Sequence, residues 1–111
     1  MPSPEFVDAV LAVVHRIPAG RVMTYGDVAL AIGSSAPRAV GRVMALYGHA
    51  VPWWRVVPAS GQPPQGHASL ALPRYREEGT PLRHAESPDY RLALSAARLP
   101  YTHEIYSEVA L

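Results

Sequence analysis

Proline and glycine punctuate this chain too closely for any long element: 12 Pro and 8 Gly fall among 111 residues, so helices and strands must be short and joined by many turns. At this length one compact domain is expected, and 49% hydrophobic residues against 17% charged are enough for a core. No run approaches the roughly 18 apolar residues of a membrane span, and the first residues lack the regions of a secretory signal. A soluble, cytoplasmic protein without membrane contact is expected.

Two absences bound the chemistry. Cysteine is absent, which excludes disulfides, thiolate metal sites, redox dithiols and any reaction of a cysteine nucleophile. All ten basic residues are arginine, which removes Schiff-base chemistry and the lysine of a phosphate-binding P-loop. Net charge is only +1, yet residues 15–58 hold Arg16, Arg21, Arg38, Arg42 and Arg55 against Asp27 alone. A locally basic half suits nucleic acid without requiring it. The histidines, His15, His49, His67, His84 and His103, show no metal-ligand spacing, and no phosphate loop stands out. No cofactor or metal is expected.

Local signals predict the elements. Ser3, Pro4 and Glu5 read as N-cap, first helical residue and acidic first turn, with Phe6, Val10, Val13 and Val14 on one face, so a helix is expected over 4–16. Thr24 and Asp27 form an aspartate version of the capping box, opening a helix over 25–32 that Gly33 stops. Ser34 or Ser35 is expected to cap a third helix over 36–47, on which Val40, Val43, Met44 and Tyr47 recur until Gly48. The pair joined by Gly33-Ser34-Ser35 makes a helix-turn-helix pattern, the second member being the recognition helix. An extended segment over 51–57, a loop from Pro58 to Gly66, a helix over 72–78 and another near 88–98 are expected next. The fold class is thus mainly α, a small winged-helix-like domain with a helix-turn-helix and short extended segments.

Three blocks, Thr24-Tyr25-Gly26-Asp27-Val28-Ala29, Pro37-Arg38-Ala39-Val40-Gly41 and Pro52-Trp53-Trp54-Arg55-Val56-Val57, resemble the DNA-binding domain of O6-alkylguanine-DNA alkyltransferases in content and order. Those enzymes carry their alkyl-accepting cysteine after the proline of the third block, followed by histidine. Here Trp53 and Trp54 stand there, so the chain resembles the alkyltransferase-like proteins, the non-enzymatic branch. The resemblance spans about residues 3–80. It divides the chain into a DNA-binding domain over 1–84 and an extension over 85–111 of open course.

The resemblance implies that the helix-turn-helix enters the minor groove and that a damaged guanine is rotated into a pocket. Ala36, Ala39 and Gly41 are small enough for close approach of the third helix, and Arg38 would fill the gap left by the extruded base. Otherwise Arg38 is a solvated arginine near a helix start. Tyr25 would contact a phosphate and help rotate the nucleotide, or else pack as a half-buried tyrosine. Tyr25, Pro52, Trp53, Trp54 and Val57 are the expected pocket, although Trp53 could be a core tryptophan and Trp54 could simply pack outward. Arg55 reads as structural, tying backbone carbonyls together. Relatives in this branch place a basic residue in the following loop, near the modified oxygen, whereas no arginine lies between Val56 and Pro73. Gln62, Gln65 and His67 are the substitutes available.

The function implied is recognition of double-stranded DNA carrying O6-alkylguanine by a monomer that does no chemistry and marks the lesion for nucleotide excision repair proteins. The helix-turn-helix alone would equally suit a winged-helix-like transcriptional regulator. A residual hydrolase or transferase built on a histidine or carboxylate is a third reading.

Overall fold

The computed structural model describes residues 2–107. Among these residues the fold is mostly helical, with four two-residue strands between short helices. Helix α1, Pro4–Arg16, starts as its sequence requires, with the Ser3 hydroxyl accepting from the Phe6 N–H at 3.1 Å. Strand β1, Met23–Thr24, leads directly into α2, Tyr25–Ala31. There the capping box is complete: the Asp27 N–H donates to the Thr24 hydroxyl at 3.0 Å and the Thr24 N–H to the Asp27 carboxylate at 3.1 Å. Helix α3, Pro37–Tyr47, follows after Gly33, whose φ of 72° suits glycine.

Neither serine caps α3. Ala36 occupies the N-cap, and the Ser34 hydroxyl is taken up by the Ala36 N–H at 3.1 Å, inside the turn. Pro37 therefore begins the helix with no side chain closing its end. The expected extended segment over 51–57 follows a tight turn, Gly48–Ala50, and itself contains a second, Trp53–Arg55, so that only Val56–Val57 forms strand β2.

Strand β2 pairs in parallel with β1, Met23 opposite Val56 and Thr24 opposite Val57. Successive side chains in a strand point to opposite faces, and the two hydrophobic clusters divide along that alternation. Met23 and Val56 join a core with Val10, Val14, Val28, Val40 and Val43 from the three helices. Val22 and Val57 join the other, with Ala71, Tyr75, Tyr90 and Leu92.

Helix α4, Ala68–Glu78, begins four residues before the expected 72, and Pro73 lies inside it. A proline removes one helical hydrogen bond, here from the second turn, and α4 continues to Gly79 at φ 68°. No helix spans 88–98. Tyr90 and Leu92 are buried while Arg91 is exposed, a strand alternation, and Arg91–Leu92 is β4, antiparallel to β3, Leu82–Arg83. Only Leu94–Ala97 is helical there (α5), and Glu104–Ser107 forms α6. The segment beyond 84 completes both cores: Leu92 and Ala97 enter one, Leu99 and Ile105 the other. Val22 binds it through both backbone groups, donating to Ala97 and accepting from Leu99 at 2.9 Å each. No described helix is long and apolar enough to cross a membrane.

Candidate nucleic-acid interface

Helix α3 presents its charge outward. Arg38 and Arg42 are exposed, four residues apart and so on one face. The other arginines of the basic half are differently engaged. Arg16 lies 3.9 Å from Glu104, and Arg21 donates to the Gly20 carbonyl at 3.2 Å. Arg55 donates to the Ile17 carbonyl at 2.8 Å and with two nitrogens to Glu78, at 3.1 and 2.7 Å. Arg55 thus ties the Ile17 carbonyl to the Glu78 carboxylate, where backbone carbonyls alone were expected.

Beside α3 opens a cavity of about 580 Å³, within the range of small-ligand sites. Tyr25 comes from the first turn of α2, Gly41, Met44 and Ala45 from α3, Trp53 and Val56 from the third block, and Gln65, His67 and Leu70 from the loop and the start of α4. Gly41 is informative. Mid-helix glycine costs about 1 kcal/mol relative to alanine, yet a Cβ there would meet nothing within 4 Å. The fold supplies no reason for its smallness.

Of the residues named from the sequence, Tyr25 and Trp53 share the cavity, with Gly41 on its wall. Ala36 and Arg38 are exposed at the start of α3, and Ala39 is half-buried. Pro52, Trp54 and Val57 do not line the cavity. Val57 is fully buried in the second core. Trp54 is turned toward α4, its indole N–H donating to Glu78 at 3.0 Å under the Arg74 guanidinium 4.7 Å from the ring centre. His49, His67 and Leu70 enter the cavity instead. His67, like Gln65, is one of the residues offered in place of a basic loop residue, whereas nothing local distinguishes His49 and Leu70, which the turn after α3 and the start of α4 bring to the same cavity.

Two networks hold this surface. Glu78 accepts from the Gly20 N–H, the Trp54 indole and twice from Arg55, so the turn carrying Trp53 is tied to α4 and to the end of α1. Burial pushes the Glu78 carboxyl up, but these donors and the Arg55 charge outweigh it and hold its pKa below the ordinary value. Burial likewise raises the Tyr25 hydroxyl, which is neutral at physiological pH. The rings of Trp53 and His67 lie 5.4 Å apart, and the His67 Nδ1–H donates to the Gln65 carbonyl at 3.0 Å. No group of three or more potential metal ligands occurs among the described residues.

Comparison with known proteins agrees with this architecture. The S. pombe ATL crystallised in complex with DNA superposes with a TM-score of 0.75 at 30% identity, over 90% of this chain and 99% of that one. S. pombe Atl1 in complex with damaged DNA containing O6-carboxymethylguanine gives 0.76 at 29%, with the same coverage. A DNA base-flipping protein of Vibrio parahaemolyticus is 36% identical over 61 residues, 52% of this chain; the match spans 61% of that relative's length. Residues 5–79 match the 6-O-methylguanine DNA methyltransferase DNA-binding domain, and with helix-turn-helix, cavity and third block all within that span, the chain belongs to this family.

Proposed function

We propose that the chain is a DNA-damage recognition protein that docks α3 in the minor groove, receives a flipped O6-alkylguanine in the cavity beside it and leaves the alkyl group in place. The observation that carries this reading is the cavity itself: it opens beside a helix bearing Arg38 and Arg42, its glycine wall answers to no internal packing, and Trp53 stands at its edge. An indole can pack against a base but cannot accept an alkyl group as a thiolate does, and the chain holds no cysteine. Relatives crystallised with DNA support the partner. Acting as a monomer and handing the bound lesion to nucleotide excision repair proteins is part of the proposal.

Each element has a physical task. Arg38, near the uncapped N-terminus of α3, fills the space of the displaced base, since a planar guanidinium both stacks and hydrogen-bonds. Tyr25 meets the rotated nucleotide's phosphate. The Glu78 network fixes the wall that carries Trp53.

The test is binding to one duplex with guanine or O6-methylguanine at a single position, at a stated salt concentration, followed by analysis of the recovered DNA. Tighter binding to the methylated duplex and full retention of the methyl group are expected. Equal affinities, the behaviour of a sequence-reading regulator, would overturn the reading, and restoration of guanine would overturn its non-enzymatic half.

A further inference from the structure

The cavity carries few side chains able to read the edge of a base: Tyr25, His49, Trp53, Gln65 and His67. Of these, His67 is set in one orientation. A backbone carbonyl can only accept, so the bond to Gln65 at 3.0 Å assigns the hydrogen to Nδ1. Trp53 packs against the ring, 5.4 Å between centres. Nε2 is then the one polar atom of the ring left for a ligand. In the neutral ring it is an acceptor; in the protonated ring it is a donor, and the Nδ1 bond is the same in both.

Besides the alkyl group on O6, guanine and its O6-alkyl derivative differ in that polarity at N1. Guanine carries a hydrogen on N1 and presents a donor. Alkylation at O6 removes that hydrogen, so N1 presents a lone pair. A neutral His67 is complementary to intact guanine and opposes the alkylated base; a protonated His67 donates to N1 of the alkylated base and opposes the N1–H of guanine.

Resting on the damage-recognition reading above, we infer that His67 is a specificity-determining residue of this cavity, selecting alkylated over intact guanine when its ring is charged. Few other groups confuse that dependence. Tyr25, facing from α2, is neutral, its hydroxyl raised by burial. The loop from Pro58 to Gly66 carries no titratable side chain. Arg55, on the turn that bears Trp53, is paired with Glu78, and on α4 Arg74 lies over Trp54. His49, on the turn after α3, is the other cavity group of a type that changes charge between about pH 5 and 8.

The experiment measures affinity for duplexes differing only in guanine or O6-methylguanine at one position, between about pH 5.5 and 8 at fixed ionic strength, for the intact chain, His67→Gln and His49→Gln. Taking the ratio of the two duplexes removes the general gain in DNA affinity as histidines charge. Subtracting the His67→Gln profile removes any titration of the DNA. The preference for the methylated duplex should rise about tenfold toward low pH, as one charge-assisted hydrogen bond supplies, in the intact chain and His49→Gln but not in His67→Gln. His67 is exposed, so its variant folds. A slope that persists in His67→Gln, or is absent from the intact chain while a preference remains, overturns this inference alone. No preference at any pH overturns the damage-recognition reading itself.

Discussion

Arg98 closes onto Asp27 from 71 positions along the chain, its Nε and Nη2 donating to the two carboxylate oxygens at 2.9 Å each. The same carboxylate accepts from the Thr24 N–H and from the Tyr101 hydroxyl, at 3.1 and 2.8 Å. One buried side chain thus caps α2 and anchors the last segment of the fold. Tyr25 lies between Thr24 and Asp27, on the turn that this network fixes.

Asp27 should make the fold acid-sensitive. Burial pushes its carboxyl up, but Arg98, the Thr24 N–H and Tyr101 together outweigh burial and hold the pKa below its ordinary value. With the folded value below the unfolded one, the stabilisation is present in full above the unfolded pKa of about 3.9 and is lost as pH falls through the folded one. Urea denaturation should show Asp27→Asn destabilised by about 3 kcal/mol at neutral pH, with the gap to the intact chain narrowing below about pH 4. Glu78, lowered likewise, leaves the variant some acid sensitivity of its own. A gap constant with pH would show that Asp27 acts without its charge.

What the sequence discloses follows the range of each interaction. The Ser3 cap and the Thr24–Asp27 box join residues three apart, and both are legible from residue type and spacing. The partners of Glu78 lie 23 to 58 positions away, and no local pattern announces them. Helix α4 is misjudged at its start because a proline usually marks a first turn, whereas Pro73 sits in a second. Tyr25 and Trp53 are legible through the resemblance, and so is His67 as one of three candidates in the loop; that His67 and Gln65 line the cavity and Gln62 does not is set by the folded course of the loop.

The segment beyond 84 is integral to both cores, so a chain ending there should not fold. Truncation removes Leu92, Leu99 and Ile105, all at most 3% exposed, and the Arg98 partner of Asp27. Each buried aliphatic side chain lost costs about 2 to 5 kcal/mol, against a total of about 5 to 15 for a domain. Circular dichroism should show weak helicity and no cooperative thermal transition. A cooperative transition in the truncated chain would mean that residues 2–84 fold independently.

Arg38→Ala should weaken binding to O6-methylguanine DNA by a few kcal/mol, because the cost of unstacking the base is left uncompensated. Arg21→Ala should do much less, since Arg21 is not on α3 and donates to the Gly20 carbonyl beside it, in the turn before β1. Arg38 is exposed and helical, so the circular dichroism spectrum should not change. Equal losses from the two variants, measured by titration at one salt concentration, would refute docking through α3.

Trp53→Cys should not create an efficient alkyltransferase, although it restores the thiol that the enzymes of the family use. A free cysteine has a pKa of about 8.5, and reactive cysteines depend on a neighbouring histidine, cation or helix end to form thiolate. The adjacent residue is Trp54, which has no basic nitrogen to take the proton. His67 contacts Trp53 through the breadth of the indole, 5.4 Å between ring centres, and a sulfur held one bond from Cβ falls short of that contact. Trp54→His changes the situation. Its imidazole would meet Glu78, whose Oε2 now accepts from the Trp54 indole at 3.0 Å. A carboxylate there can hold a ring N–H and stabilise the imidazolium, as orienting carboxylates do in nucleophile–histidine pairs. Methyl transfer from labelled DNA to protein under single-turnover conditions should be slow or undetectable for Trp53→Cys and faster for the double variant with Trp54→His, with folding verified by circular dichroism. Fast transfer by the single variant would mean that the cavity activates a thiol without Glu78, and equal rates would deny Glu78 the orienting role.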